Sequence, residues 1–345
     1  MAIHEARNSL ARLFGVSSSR QVAFSQNATM ALNTAIATLL PDGGTAVTTA
    51  ASHNSVLRPL FKARDERGCD IRIVPVDSEG RLDYEQLEQY SQGADLMAVT
   101  HASNVTGEVY EVDLDSSIAH GVNAKLLLDC AQTAGSIPID MTAQDIDVIC
   151  FTGHKSLFGP QGTGGLCAMN GIRILPLVEG GSGVHSFDER QPTGMPESLE
   201  AGTMNSHGIA GLGAGVDWIL ERGVDDVHRS DMELMGRFLS QAADIPGMRI
   251  HGMDKDSMFA AEDDIEGRCP IVTFNIGDLD SGLVVDVLAE EWGICARGGA
   301  HCAPLMHKAL GTAMQGTVRF SFSCFNNERE IDTAVAALSE IAESL

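Results

Sequence analysis

Lys155 and Asp129 are two residues whose types and spacing could do covalent chemistry. Lys155 lies in FTGHKSLFGPQGTGG, after an apolar segment and before a run of small, turn-forming residues. A lysine amine that is partly desolvated at the end of a strand has a lowered pKa and can act as a Schiff-base nucleophile. The glycines follow the Lys-Ser pair, whereas a nucleotide-binding P-loop places them before it, so the segment does not predict a P-loop.

Asp129 ends the apolar segment KLLLD, about two dozen residues before Lys155. A carboxylate at that position could pair with a protonated pyridine nitrogen, the partner that makes pyridoxal phosphate an electron sink. Gln132 could reach the phenolic oxygen of the same cofactor. An isolated aspartate at a strand end is more often a helix cap or a turn residue. A strand that ends in an aspartate, followed about two dozen residues later by a lysine after the next strand, is together a pyridoxal-phosphate signature.

The elements that must position these residues alternate along the first part of the chain, from about residue 20 to 205. The segments predicted as buried strands are GTAVTTAASH, DIRIVPVD, DLMAVTHASN, AKLLLDCAQ and DVICFTGHK. Apolar strands with amphipathic helices between them predict a mostly parallel sheet that is covered on both faces. The last three strands end in polar residues, namely His101 and Asn104, Asp129 and Gln132, and Thr152 to Lys155. Ligands of open α/β sheets bind beyond such strand ends, so we expect a site there.

The pattern changes after LEAGTMN, where a smaller α+β region is predicted. IAGLGAGVDWILERG is typical of a long connecting helix, and NEREIDTAVAALSEIAESL predicts a final helix. Between them we predict the strands PIVTFNI, GICARGG and GTVRFSFS, and an acidic loop at MDKDSMFAAEDDIEG. The N-terminal segment MAIHEARNSLARLFG predicts an amphipathic helix. We therefore place a large domain at residues 1–207 and a small domain, including the connecting helix, at residues 208–345.

Composition limits the kinds of partner that the chain can have. The net charge is −24, from 47 acidic and 23 basic residues, which disfavours nucleic acid and anionic membranes as partners. There is no apolar run of about eighteen residues and no signal-peptide pattern, so we expect a cytoplasmic protein. Eight cysteines without a secretion signal predict free thiols. None has zinc-site spacing, so no metal is predicted, and we expect buried, inert thiols at Cys69, Cys130, Cys150, Cys167 and Cys269.

Several separated motifs resemble the class V (fold-type I) pyridoxal-phosphate aminotransferase family, and within it the cysteine desulfurase and selenocysteine lyase branch. The motifs are QNATMALN, SHNSV, HASNVTG, LDCAQ, FTGHK, LEAGTMN and ARGGAHCAPLMHKALG, and they cover nearly the whole chain. The resemblance implies an α/β fold. Its large domain has a mostly parallel seven-stranded sheet flanked by helices, and a smaller C-terminal α+β domain follows.

The resemblance also implies a role for each motif residue in holding pyridoxal 5'-phosphate. Lys155 forms the Schiff base, Asp129 and Gln132 contact the ring, and His53 stacks on it and assists proton transfer. The residues implied for the cofactor phosphate are Thr29, Thr152 and His154, with Thr203 reaching the phosphate of the neighbouring subunit. This last contact implies a homodimer with shared sites.

The segment around Cys302 resembles the active-site loop of the desulfurases, in which a cysteine accepts the sulfur. Plain aminotransferases of this family have no need of a thiol there. Gly298 and Gly299 allow its loop to bend, and we expect His301 to favour the thiolate. The other interpretations are a structural cysteine or a His301–Cys302 metal pair, although adjacent residues rarely ligate one metal.

Arg319 resembles the family's carboxylate-binding arginine. Asn104 resembles the family residue that contacts the substrate carboxylate and the cofactor. A structural role is expected for Arg297, and packing for Cys295 and Cys324.

The resemblance implies that L-cysteine is converted to L-alanine, with its sulfur passed to Cys302 as a persulfide and then to a sulfur-acceptor protein. Two enzymatic alternatives are a selenocysteine lyase and a class V aminotransferase or lyase for another amino acid. A third, non-catalytic alternative is a dimer that docks a sulfur carrier. The sequence departs from the family pattern where no segment of the YLDNAATT kind precedes the first helix, and at Met30, where many relatives have an acidic residue.

Overall fold

The computed structural model describes residues 2–253 and 267–344. In the first 200 residues the elements are α1 (Ala2–Leu13), a 3-10 turn (Ser19–Gln21), β1 (Val22–Ser25), α2 (Ala28–Leu39), β2 (Thr45–Thr49), α3 (Asn54–Arg67), β3 (Asp70–Val74), α4 (Tyr84–Ser91), β4 (Leu96–Thr100), α5 (Val112–Gly121), β5 (Lys125–Asp129), β6 (Val148–Thr152) and β7 (Gly164–Ala168). They are followed by α6 (Ser206–Arg222), α7 (Val224–Ala242), β8 (Met248–His251), β9 (Ile271–Ile276), α8 (Ser281–Trp292), α9 (Pro304–Ala309), β10 (Val318–Ser321) and α10 (Glu328–Glu343).

A seven-stranded sheet forms the centre of the large part of the molecule, in the order β1-β7-β6-β5-β4-β2-β3. The pairs from β6 to β3 are all parallel, and β7 runs antiparallel to both β6 and β1. Every residue of β4 and β6 is buried, as expected for strands covered on both faces. The five strands predicted from apolar runs, and the mostly parallel sheet, are confirmed.

Helix caps place two of the predicted site residues at helix starts. The Asn27 side chain accepts a hydrogen bond from the Met30 amide and begins α2, which puts Thr29 in its first turn. The imidazole of His53 accepts from the Ser55 amide in the same way and begins α3. Both helices therefore present their N-terminal amides near residues that the sequence assigns to the site.

The connecting helix α6 packs against the N-terminal helix α1 and belongs to the core of the large sheet. Ile209, Leu212 and Val216 share that core with Leu10 and Phe14. The small sheet has a core of its own, in which Phe238 of α7 contacts aromatic side chains of the strands. Their ring centroids lie 6.0 Å (Phe274), 5.3 Å (Phe320) and 5.5 Å (Phe322) from that of Phe238. The domain boundary between residues 207 and 208 stays a prediction.

The small sheet is antiparallel, in the order β10-β9-β8. PIVTFNI and GTVRFSFS are confirmed as strands, but the strand predicted at GICARGG is wrong. Residues 293–300, which are all described, form one isolated bridge, between Arg297 and Arg319. The chain leaves the extended conformation because Gly299 has φ +100°, followed by φ +47° at His301 and +59° at Cys302.

The acidic loop predicted from residue 253 to 267 lies almost wholly outside the described residues. Among the helices that are described, none is both long and apolar enough to cross a membrane.

A buried ion pair joins α1 to the segment that precedes α6. The Arg7 guanidinium donates to both carboxylate oxygens of Glu200, at 2.7 and 2.9 Å, and the two side chains are only 8% and 7% exposed. We expect Arg7→Ala to lower the free energy of unfolding by about 3–5 kcal/mol, because Glu200 is left charged and buried. The matched control is Arg20→Ala, since the Arg20–Glu197 pair is 70% and 34% exposed, and its loss is expected to cost less than about 1 kcal/mol. Urea unfolding measures both, and equal losses would contradict the prediction.

Candidate active site

Four neighbouring parallel strands end at one edge of the large sheet, and each is followed by a predicted site residue. The strands β6, β5, β4 and β2 are adjacent, so their carboxyl ends lie side by side. Lys155 follows β6, Asp129 ends β5, Asn104 follows β4 and His53 follows β2. The ladder continues beyond β4, where the His101 amide donates to the Asp129 carbonyl at 3.0 Å. The topology thus brings together residues that are up to about 100 positions apart in sequence.

Lys155 lies in a tight turn that is closed by its own backbone. The Gly159 amide donates to the Gly153 carbonyl at 2.7 Å, and the Phe158 amide donates to the Lys155 carbonyl at 2.9 Å. Gly135, after β5, packs against this turn with φ +89°, and a Cβ there would lie 2.4 Å from the Ser156 carbonyl oxygen. Only glycine allows so close an approach, and the turn after β5 thereby fixes the turn that carries Lys155.

The Lys155 amine and the Asp129 carboxylate perturb one another at this edge. Burial lowers the pKa of Lys155, with Arg319 and Arg297 acting in the same direction and Asp129 opposing them. Burial raises the pKa of Asp129, opposed by a hydrogen bond from the Ala131 amide and by Lys155. A larger fraction of this lysine is therefore in the unprotonated, nucleophilic form at neutral pH than for a solvated lysine.

His53 is held in one orientation and is neutral at neutral pH. Its Nδ1 accepts from the Ser55 amide at 3.0 Å and lies 2.9 Å from the Ser55 hydroxyl. Its pKa is lowered to about 4, first by burial and then by Lys155 and the site's arginines. A neutral imidazole with a fixed ring plane is suited to packing against an aromatic ligand.

Thr29, Thr152 and His154 provide hydroxyl and imidazole groups beside these residues. The Thr29 hydroxyl is 2.7 Å from the Ser55 hydroxyl, which links the start of α2 to His53. The Thr152 hydroxyl is 3.0 Å from His154 Nδ1 in the Lys155 turn. Hydroxyls together with the N-terminal amides of α2 form a local environment that suits an anion.

The loop that carries Cys302 reaches this edge from the region of the small sheet. The Asn54 amide donates to the Cys302 carbonyl at 2.8 Å, and Asn104 Nδ2 donates to the His301 carbonyl at 2.7 Å. Arg319 Nη1 donates to the Asn104 carbonyl at 3.1 Å. These contacts put the exposed Cys302 beside Asn54, which follows His53. They also place the loop next to Asn104 and Arg319.

Arg319 remains a cation at neutral pH. Its pKa is lowered to about 10, first by burial and then by Arg297, while Cys302 acts in the opposite direction. The unprotonated fraction at pH 7 is therefore small, and the guanidinium can bind a carboxylate.

Two expectations for this loop are wrong. His301 is buried and its pKa is lowered to about 3, by burial first and then by Arg319, so it is neutral and cannot favour a thiolate by its charge. Cys295 is exposed rather than packed, whereas Cys324 is half-buried. The five cysteines predicted to be buried are buried, and burial raises the pKa of Cys130, Cys150, Cys167 and Cys269. The thiols of these last four cysteines are therefore inert at neutral pH.

Gln132 and Thr203 are placed differently from the rest. The Gln132 carbonyl accepts the Cys269 thiol at 3.9 Å, which ties the turn after β5 to the residues before β9. Thr203 is exposed and lines a cavity of about 320 Å³ with Gln26 and Met30, and that cavity includes neither Lys155 nor Cys302. Within one chain, the structure does not bring Thr203 to Lys155.

Two residues near His53 were not predicted from the sequence. Ser55 bridges Thr29 and His53 through its hydroxyl. Arg58, which is exposed and lies five residues after His53, adds to the positive charge that lowers the pKa of His53. This spacing is longer than the three or four residues that place side chains side by side on a helix, so no local pattern identifies Arg58.

The buried polar groups at this edge fit a pyridoxal-phosphate group and an amino-acid carboxylate. Within the part of the chain that the structure describes, Asn104 Oδ1 and Arg319 Nε are buried without a hydrogen-bond partner. Such groups are costly unless a ligand satisfies them. An amine of lowered pKa, a buried carboxylate and a cation surround the same space, and they match the aldehyde, the pyridine nitrogen and a carboxylate respectively. No three His, Cys, Asp or Glu side chains among the described residues are grouped to hold a metal ion.

Comparisons with known proteins agree on one family for this chain. The family model for aminotransferase class V matches residues 1–334. A probable cysteine desulfurase from Methanothermobacter thermautotrophicus is 33% identical over 347 residues, covering 99% of this chain and 84% of that protein. One from Pyrococcus abyssi is 31% identical, covering 94% and 80%.

Solved structures show the same fold. The apo structure of a cysteine desulfurase from Thermococcus onnurineus superposes with a TM-score of 0.91 at 29% identity, covering all of this chain and 84% of that one. The S-sulfonic acid form of a cysteine desulfurase from Escherichia coli gives 0.89 at 26% identity, covering 100% and 84%. The predicted fold, with a mostly parallel seven-stranded sheet flanked by helices, is confirmed.

Proposed function

The chain belongs to the class V aminotransferase family, and from this premise we propose that it is a pyridoxal-phosphate-dependent cysteine desulfurase. It converts L-cysteine to L-alanine and takes up the sulfur on Cys302. The observation that carries the proposal is the docking of the Cys302 loop, through the Asn54 amide and Asn104 Nδ2, onto the strand edge that carries Lys155. The names of the relatives and structural neighbours support the same activity.

Pyridoxal phosphate, when bound, supplies an electron sink to the reacting carbon of an amino acid. Lys155 would hold it covalently, Asp129 would face its pyridine nitrogen, and His53 would pack against its ring. The other residues proposed to hold it are Thr29, Thr152 and His154 for the phosphate, Gln132 for the phenolic oxygen, and Thr203 of a second subunit. The buried Asp129 carboxylate keeps its partner nitrogen protonated, because an uncompensated charge would be costly there.

The substrate is held by its carboxylate, while Lys155 transfers the α-proton and Cys302 attacks the sulfur. The Arg319 cation binds the carboxylate with its free Nε, and Asn104 lies beside it. The Lys155 amine, with its lowered pKa, takes the α-proton and later returns one. Cys302 Sγ acts as a thiolate, because the thiol itself is a poor nucleophile.

The transfer conserves atoms and electrons. The Cys302 sulfur forms a bond to the substrate sulfur, and the bond between that sulfur and the substrate β-carbon breaks. The electron pair stays with the carbon, which takes up one proton and becomes the methyl group of alanine. Cys302 is left as a persulfide, whose outer sulfur passes to an acceptor protein.

A homodimer with shared sites is part of the proposal. Between β7 and α6 the chain exposes a series of large apolar side chains, namely Leu175, Leu177, Val178, Val184 and Phe187. Leu177 and Val178 line the same cavity as Thr203. A concentration of exposed apolar side chains in one segment supports an interface, and light scattering is expected to give twice the mass of one chain.

The absorbance spectrum with pyridoxal phosphate, before and after L-cysteine, tests the function. We expect a band near about 420 nm from the lysine-bound cofactor. On addition of L-cysteine the band should shift while alanine and sulfide accumulate in step. A keto acid without sulfide would instead indicate an aminotransferase. Absence of the band with excess cofactor would leave the non-catalytic docking role.

A further inference from the structure

The proposed nucleophile Cys302 and the residue before it adopt an unfavourable backbone conformation that must be held by specific contacts. His301 and Cys302 are consecutive residues with φ +47° and +59°, a region that costs a residue with a Cβ about 1–3 kcal/mol. Three hydrogen bonds hold this stretch. Two of them bind backbone carbonyls, from Asn104 Nδ2 to His301 and from the Asn54 amide to Cys302.

The third hydrogen bond comes from the His301 side chain, and its direction is fixed by chemistry. Nε2 lies 3.0 Å from the Thr317 carbonyl and 3.1 Å from the Thr317 hydroxyl. A carbonyl only accepts, so Nε2 carries the proton and donates. Nδ1 is then the unprotonated nitrogen, and within the described residues this buried atom has no partner. The imidazole is therefore a neutral, directional donor.

Thr317 is a firm anchor for that donor. It is fully buried and pairs with Gly299 by two backbone hydrogen bonds of 3.2 Å, just before β10. The His307 ring lies 5.7 Å from the His301 ring and closes the other side. Among the described residues, the Cys302 side chain makes no hydrogen bond of its own, so its direction depends on the backbone of His301 and Cys302.

We propose that His301 is a positioning residue for Cys302. Its hydrogen bond to Thr317 keeps the two residues in the left-handed conformation that directs Sγ to the cationic edge formed by Arg297 and Arg319. Without it, the backbone relaxes to negative φ and turns Cβ of Cys302 away. The inference rests on the proposed function, because it assumes that Cys302 receives the sulfur.

Alkylation of Cys302 by a charged and an uncharged reagent tests the position of Sγ without substrate or turnover. The rates with iodoacetate and iodoacetamide are measured on the Cys302 peptide by mass spectrometry, and their ratio is divided by the same ratio for N-acetylcysteine. In the wild type the cations favour the anionic reagent, so this normalised ratio exceeds one. We expect His301→Ala and His301→Leu to lower it about fivefold. His301→Gln, whose amide can still donate to Thr317, should stay within about twofold of wild type.

His251→Ala is the matched control, since His251 is also a buried imidazole with a hydrogen bond, to Asn275 at 2.7 Å, and within the described part of the chain its side chain makes no hydrogen bond to Thr317 or to residues 298–302. It should leave the ratio unchanged at a similar cost in melting temperature. In the cofactor-loaded enzyme, His301→Leu is expected to lower kcat about tenfold while KM for cysteine is retained. A folded His301→Leu protein with the wild-type alkylation ratio would overturn the inference. Failure of the desulfurase proposal appears separately, in the cysteine titration of the wild type.

Discussion

Cys302→Ser is expected to abolish sulfur transfer from L-cysteine while cofactor binding stays intact. A serine hydroxyl is not ionised at neutral pH and cannot form a persulfide, so the rate of alanine formation should fall on the order of 10³-fold. The side chain is exposed and makes no hydrogen bond within the described part of the chain, so the fold should be unaffected. Alanine and sulfide are assayed together, with the cofactor absorbance recorded on the same sample.

Cys295→Ser provides the matched control, because Cys295 is also an exposed free cysteine and lies seven residues before Cys302, ahead of the ARGGAHC segment. It should retain wild-type rates. Full desulfurase turnover in Cys302→Ser would remove Cys302 from the mechanism. Turnover of selenocysteine alone in that variant would favour a selenocysteine lyase, because the weaker carbon–selenium bond lessens the need for a protein thiol.

Lys155→Ala is expected to remove both the covalent attachment of the cofactor and the proton transfer at the α-carbon. The band near about 420 nm should be lost. The residual rate should fall by about 10²–10⁴-fold from the loss of proton transfer alone. Removing a desolvated amine from a buried site should not destabilise the fold, since burial disfavours its charge. Borohydride reduction followed by mass spectrometry measures the attachment directly.

Lys62→Ala is the control for this variant, since Lys62 is 68% exposed and, among the described residues, its ion pair is with Glu66 on α3. It should keep the cofactor band and the rate. A cofactor adduct that survives in Lys155→Ala, or that maps to another lysine in the wild type, would contradict the assignment of Lys155.

The sequence by itself determined the sheet and most of the residues that meet at its edge. Apolar runs that end in polar residues predicted β4, β5 and β6, and parallel strands necessarily bring Asn104, Asp129 and Lys155 to one edge. The caps of α2 and α3 are equally local, because Asn27 and His53 bond amides two or three residues away. Signals of this kind depend on side-chain period and hydrogen bonding within one segment, which a sequence displays directly.

Only the tertiary structure decided how the Cys302 loop is held. Asn104 and His301 are 197 residues apart, and Arg319 and Asn104 are 215 apart, so no local pattern predicts their hydrogen bonds. GICARGG has the composition of a strand, yet positive φ angles at Gly299, His301 and Cys302 direct the chain to the site instead. The expectation that His301 favours the thiolate was wrong because the charge of His301 also depends on contacts that no local pattern predicts. A histidine's pKa is set by its burial and its neighbours in space, and these exist only once distant parts of the chain are folded together.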